Sequence, residues 1–161
     1  MEKIKFEIEM KNGKIMKGEL YPEIAPITVQ NFIDLIQKNF YDGLIFHRVI
    51  PGFMIQGGGM DETMTPRETK AIKGEFKSNG IENSLLHTRG VLSMARTMIK
   101  DSASSQFFIM HEDAPHLDGD YAAFGKIIEG LDVVDEIVNV SRDFSDCPHT
   151  PIVIKTMRLL P

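Results

Sequence analysis

Apolar and charged residues alternate strictly near the start of the chain. In Ile4-Lys5-Phe6-Glu7-Ile8-Glu9-Met10 every second position is apolar, so residues 3–10 are expected to form a strand with one buried face. Asn12-Gly13 follows, a pair that tolerates positive φ and suits a tight hairpin turn, and Lys14 to Leu20 returns as a second strand. The period then changes. Val29, Phe32, Ile33 and Ile36 make one helical stripe, opened by Ala25-Pro26 and ending near Lys38-Asn39. The middle of the chain holds five short apolar runs: Phe46–Ile50, Phe53–Gln56, Val91–Ala95, Gln106–Met110 and Ala122–Ile128. They are too short for helices and rich in β-formers, so they read as strands. Residues 57–89 carry glycines, a proline and many charges and read as a long surface excursion. After Gly130, the residues Leu131, Val134, Ile137 and Val138 form a second helical stripe, and Pro151 to Leu160 a last strand. Seven or eight strands with two helices, and no regular strand–helix alternation, argue against a parallel doubly wound sheet. A closed antiparallel barrel capped by helices is the natural solution, because closure leaves no exposed edge.

Composition narrows the class. At 161 residues the chain is expected to be one domain, residues 1–161, exposing about 8,000 Å² when folded against about 26,000 Å² extended. Apolar residues make up 42% and charged residues 25%, an ordinary globular balance that excludes disordered, collagenous and coiled-coil chains. The single cysteine, Cys147, excludes an internal disulfide framework and fits a reducing compartment. No stretch has the length of a signal peptide or a membrane span, so a cytoplasmic protein with no membrane partner is expected. The net charge is −5 and no basic run stands out, which argues against nucleic acid. From His111 to Asp146 there are ten acids and two bases, read as a solvated acidic face rather than a docking patch for a basic partner. No apolar surface stripe is evident, so a monomer is expected.

Most chemical motifs fail on spacing. His111 and His116 are five residues apart rather than four, and Pro115 breaks the helix that would bring them to one face of a zinc site. Cys147 and His149 are a single pair without a second. Gly57-Gly58-Gly59 is followed by Met60-Asp61-Glu62 rather than by Gly-Lys-Ser, so it reads as a tight turn after a strand and not as a phosphate loop. Ser93, Ser104 and Ser105 lack the glycines that flank a nucleophile elbow. No metal and no cofactor are expected.

One segment resists these readings: Phe46-His47-Arg48-Val49-Ile50-Pro51-Gly52-Phe53-Met54-Ile55-Gln56-Gly57-Gly58. Strand alternation would put Phe46 and Arg48 on one face and, after the Pro51-Gly52 turn, Phe53 or Met54 with Gln56 nearby. A cation and an amide then stand beside large soft apolar groups, and Gln106-Phe107-Phe108-Ile109-Met110 offers the same mixture. Two such strands suit a binding pocket.

These residues resemble the signature of the cyclophilin family of peptidyl-prolyl cis–trans isomerases. Ser105-Gln106-Phe107-Phe108-Ile109, Leu117-Asp118-Gly119 before Phe124-Gly125-Lys126, and Gly130-Leu131-Asp132-Val133-Val134 match the family in order and spacing. Met94-Ala95-Arg96-Thr97 with Ser102-Ala103-Ser104-Ser105 is similar to its compact bacterial branch. The resemblance implies an all-β-dominated fold, a closed eight-stranded antiparallel β-barrel capped by two α-helices. It implies that Arg48 is the catalytic arginine and that Phe53, Met54, Phe108 and Leu117 wall a proline pocket. It implies that Gln56 and the Ala95-Arg96 backbone hold the substrate main chain, with Thr97 and Gln106 beside them. On the pocket rim His116 stands where many eukaryotic members have tryptophan, and Tyr121 where they have histidine. The implied partners are proline-containing polypeptides, whose folding it would assist, and cyclosporin A is expected to bind only weakly because of His116. A proline-segment binding module or holdase with incidental catalysis is the alternative, and the intact Arg48 argues against it.

Overall fold

The computed structural model describes residues 3–161. The expected hairpin forms first, from β1 (Ile4–Met10) and β2 (Ile15–Leu20), with Gly13 at φ +88° in its turn. Helix α1 (Pro26–Gln37) follows, then β3 (Leu44–Ile50), β4 (Met54–Asp61), β5 (Val91–Met94), β6 (Phe107–Met110) and β7 (Ala123–Glu129). Helix α2 (Leu131–Val138) and strand β8 (Ile154–Leu159) complete the order. All neighbouring strands pair antiparallel, in the sequence β3-β4-β6-β5-β7-β2-β1-β8. The two outer strands meet through an Ile45–Val153 bridge and two bonds, Gly43 N–H to Ile154 O (2.9 Å) and Phe46 N–H to Ile152 O (3.0 Å). The eight-stranded barrel is thereby nearly closed, as expected.

Side-chain alternation divides the sheet into two apolar layers. Along β6, Phe107 and Ile109 join the interior core, whereas Phe108 and Met110 join a second cluster on the outer face with Met54, Val91, Ala114 and Leu117. Both faces of this strand are covered, which is why its sequence reads as an unbroken apolar run. Phe32 of α1 reaches Phe6, Tyr41, Phe107 and Phe124 with ring centroids 5.0–5.5 Å apart, so the helix packs into the barrel interior.

The structure corrects three readings of the sequence. Gly57-Gly58-Gly59 is not a turn but the middle of β4. A Cβ at Gly57 would lie 2.5 Å from Ile45 O, and one at Gly58 would lie 2.8 Å from the Tyr41 ring, so the close approach of β4 to its neighbours excludes side chains there. Phe46 and Arg48 do not share a face. The β3–β4 register shifts between them, and this bulge leaves Phe46 and Val49 in the interior core while Arg48 is exposed. Phe53 belongs to the turn between β3 and β4, not to a strand. The excursion is also less superficial than its composition suggests. Glu75, Phe76 and His87 are buried, and Glu75 Oε1 accepts bonds from Thr28 N–H (2.6 Å) and Thr28 Oγ1 (2.7 Å), capping the start of α1.

Candidate active site

The outer apolar layer opens into a cavity of about 150 Å³ lined by Arg48, Phe53, Met54, Gln56, Ala95, Arg96, Phe108, Leu117 and Tyr121. It is smaller than the roughly 300–1,000 Å³ of drug-sized ligand sites, and it suits a small ring. A larger hollow of about 330 Å³ lies between α2 and the β1–β2 turn, lined by Val133, Ile137 and Ile152 among others. There the acid Glu136 is already paired with Lys14 at 2.7 Å. Only the smaller cavity combines an exposed guanidinium, an amide and aromatic walls.

Each wall has a local origin. The β3 bulge turns Arg48 outward, and its Nη1 stands 3.5 Å from Gln56 Oε1, the outer limit of a hydrogen bond. Gln56 Nε2 donates to Gln106 Oε1 at 3.0 Å, which fixes the amide and leaves its oxygen towards Arg48. Thr97 and Gln106 line an adjoining hollow that shares Gln56, Ala95 and Arg96 with the first. His116, on a short 3₁₀ turn at Pro115–Leu117, lies against Phe53 with centroids 5.8 Å apart. The predicted site residues are thus all brought together, on elements far apart in sequence.

Arg96 departs from expectation in one respect. Its guanidinium is sandwiched between the rings of Phe76 (4.7 Å) and Tyr121 (4.8 Å) and donates to Asp120 O and Thr97 O. The side chain therefore braces the rim, in addition to any part played by its backbone.

Sequence reasoning missed the support behind Phe108. The His87 ring stacks on Phe108 at 6.0 Å, with Nδ1 2.9 Å from Asp118 Oδ1 and Nε2 2.9 Å from Ser93 Oγ. Burial pushes the His87 pKa below its ordinary value, outweighing the opposing bond to Asp118. The neutral ring then donates from Nδ1 and accepts the Ser93 hydroxyl at Nε2. Serine, histidine and carboxylate stand in the order of a hydrolase triad, but Ser93 is fully buried and no substrate reaches it. His87 lies in an irregular segment and Asp118 in a turn, where no periodic pattern could mark them.

The other histidine of the rejected zinc motif has structural partners. His111 Nδ1 accepts from Gly52 N–H (2.9 Å), and Nε2 lies 3.2 Å from Asp135, which also forms a bidentate pair with Arg89. Among the described residues no group of three or more His, Cys, Asp or Glu could hold a metal ion. The acidic face is likewise partly structural, since Asp118 and Asp135 are engaged and Asp113 accepts from Arg89 N–H (2.9 Å).

The family model for "Cyclophilin type peptidyl-prolyl cis-trans isomerase/CLD" matches residues 5–159. The chain belongs to the cyclophilin family. Among cyclophilin relatives, the peptidyl-prolyl cis-trans isomerase of Acinetobacter baylyi is 47% identical over 163 residues, covering 94% of this chain and 84% of that protein. Peptidyl-prolyl cis-trans isomerase B of Bacillus subtilis is 46% identical over 130 residues, covering 81% and 87%. A cyclophilin-type isomerase of Cryptosporidium parvum superposes with a TM-score of 0.85 at 29% identity, covering 99% of each chain. A structure of that isomerase in the presence of the dipeptide Ala-Pro gives a TM-score of 0.83 at 30% identity, covering 98% of this chain and 99% of that one. As a cyclophilin, this chain is a peptidyl-prolyl cis–trans isomerase.

Proposed function

We propose that Arg48 is the catalytic residue of this isomerase, and that the cavity formed by Phe53, Met54, Phe108 and Leu117 holds the proline ring of an exposed X–Pro segment. The barrier is amide resonance, about 18–20 kcal/mol, and the uncatalysed bond takes tens to hundreds of seconds. Isomerisation makes and breaks no lasting covalent bond, so no nucleophile is needed. In the twisted transition state the proline nitrogen loses conjugation and its lone pair becomes a hydrogen-bond acceptor. The planar amide offers no such acceptor. Arg48 is permanently protonated and can donate to it. A bond available only at the transition state raises turnover directly. The apolar walls hold the ring while Gln56 and the backbone at Ala95-Arg96 hold the flanking chain, so rotation is confined to one bond.

The convergence of the exposed Arg48 guanidinium and the fixed Gln56 amide over an apolar cavity carries this reading. We further infer that residues 1–161 act as one isomerase unit on unfolded polypeptides. Arg48→Ala should lose about 10²–10³ in turnover, as for removal of one transition-state donor in comparable sites. Its melting temperature should stay unchanged, because the side chain is exposed. Arg48→Lys should not restore the rate, since an ammonium lacks the rigid planar fork. A protease-coupled assay on a proline tetrapeptide measures both. If Arg48→Ala kept more than half the wild-type rate, the assignment would fail, and the arginine-independent binding module would gain ground.

A further inference from the structure

The segment that leaves β5 beside the proline cavity is tied down through its polar groups, exposed though most of them are. Ser102 Oγ accepts from Thr97 N–H and Thr97 Oγ1 (both 2.9 Å) and donates to Ile99 O (2.5 Å), closing the loop on itself. Asp101 accepts from Gly74 N–H (3.0 Å) and Asn79 Nδ2 (2.8 Å), and Lys100 Nζ donates to Ser78 O (2.6 Å). The two large apolar side chains turn outward: Met98 is 95% exposed and Ile99 70%. The anchors fix the loop, so these side chains are held in water by its geometry.

The hollow next to the proline cavity, about 240 Å³, runs from Gln56, Ala95 and Arg96 to Thr97 and Ser102. Met98 and Ile99 lie on the stretch of chain between Thr97 and Ser102, the two loop residues that line this hollow. We propose that they capture a large apolar side chain of the same polypeptide whose proline occupies the cavity, so that the isomerase prefers X–Pro bonds in apolar stretches of unfolded chains. The proposal rests on the assignment of the Arg48 cavity as the proline site. Met98 lies three positions after Ala95, at most about 11 Å of chain, and an extended client covers that span in about three residues. The captured side chain thus lies about three or four positions from the proline. Methionine's flexible, polarisable thioether suits clients of many sequences, because it adapts to a partner's shape instead of demanding one.

Two sets of proline peptides test the proposal. One is a tetrapeptide too short to reach the loop. The other is a series of decapeptides with a single Leu, or Ser as its control, two to five positions from proline on either side. Wild type should show a three- to tenfold higher kcat/KM for Leu than for Ser at position three or four on one side, expressed mainly in KM. The double variant Met98→Ser, Ile99→Ser should lose that preference while its melting temperature stays unchanged and its tetrapeptide turnover stays within twofold. Absence of any Leu preference in wild type, or its full survival in the double variant, overturns the proposal. So does concentration-dependent self-association of wild type that the double variant abolishes in sedimentation, since the patch would then be covered by a second copy. Failure of the underlying assignment has a different signature, namely tetrapeptide turnover that survives Arg48→Ala.

Discussion

A histidine enclosed beside a carboxylate is pulled in two directions, and at His87 burial prevails over Asp118, holding the ring's pKa below the ordinary value. His47, half-buried in the β3 bulge, is lowered by burial and by the adjacent Arg48. In the unfolded chain both rings take up a proton near pH 6.5. In the fold they resist it until the pH is lower. Between those two points the unfolded state binds more protons, so stability rises with pH across the window and falls as the pH drops below about 6.5. Melting temperatures measured from pH 7 down to pH 5 should therefore decline, and His87→Gln should make the decline shallower. A flat profile in wild type would mean that both rings protonate freely in the fold. For catalysis the same balance bears on Phe108, because the neutral His87 ring stacks on it from behind the proline cavity.

At the scale of elements, helix α1 opens on Pro26 but has no capping side chain of its own. Ala25 offers no capping side chain, and the acceptor for Thr28 comes from Glu75, 47 residues away. Glu75→Ala would leave two donors of a buried threonine unpaired and should cost about 1–3 kcal/mol. Glu75→Gln keeps a carbonyl acceptor and should recover much of that. Urea unfolding separates the variants, and wild-type stability in Glu75→Ala would show that something else holds the helix start. This cap also marks the limit of what the sequence discloses. The helical stripes at Val29–Ile36 and Leu131–Val138 and the alternating strands are local patterns, and each was legible. Of the residues that line the candidate site, Arg48, Phe53, Met54, Gln56, Gln106 and Phe108 stand in the Phe46–Gly58 and Gln106–Met110 signatures, where the sequence marks them. The β3 bulge was not legible, because one extra residue leaves the apolar pattern intact while sending Arg48 out and Val49 in. The glycines of β4 were misread because the reason for them, close approach to Ile45, Phe46 and Tyr41, lies in other strands. Glu75, His87 and Asp118 act from outside the strands and helices, where no period exists to read.

For the whole molecule, the barrel order places β1 beside β8. The strands are antiparallel, Phe6 faces Leu159 and Met10 faces Ile154, and Leu160 N–H donates to Lys5 O at 2.9 Å. The start of one strand thus lies beside the finish of the other, and their hydrogen bonds run perpendicular to both strands. That geometry has a mechanical consequence. Tension applied between Lys5 and Leu160 pulls along those bonds at one end of the ladder and opens them singly, like a zip. Tension between Lys5 and Lys155 loads opposite ends of the same ladder, so its bonds must slide and fail together. In single-molecule pulling, the first attachment should yield at clearly lower force than the second, and equal forces would mean that the barrel gives way elsewhere before this seam. A nearly closed barrel is in this way left easy to peel by anything that draws on both ends at once.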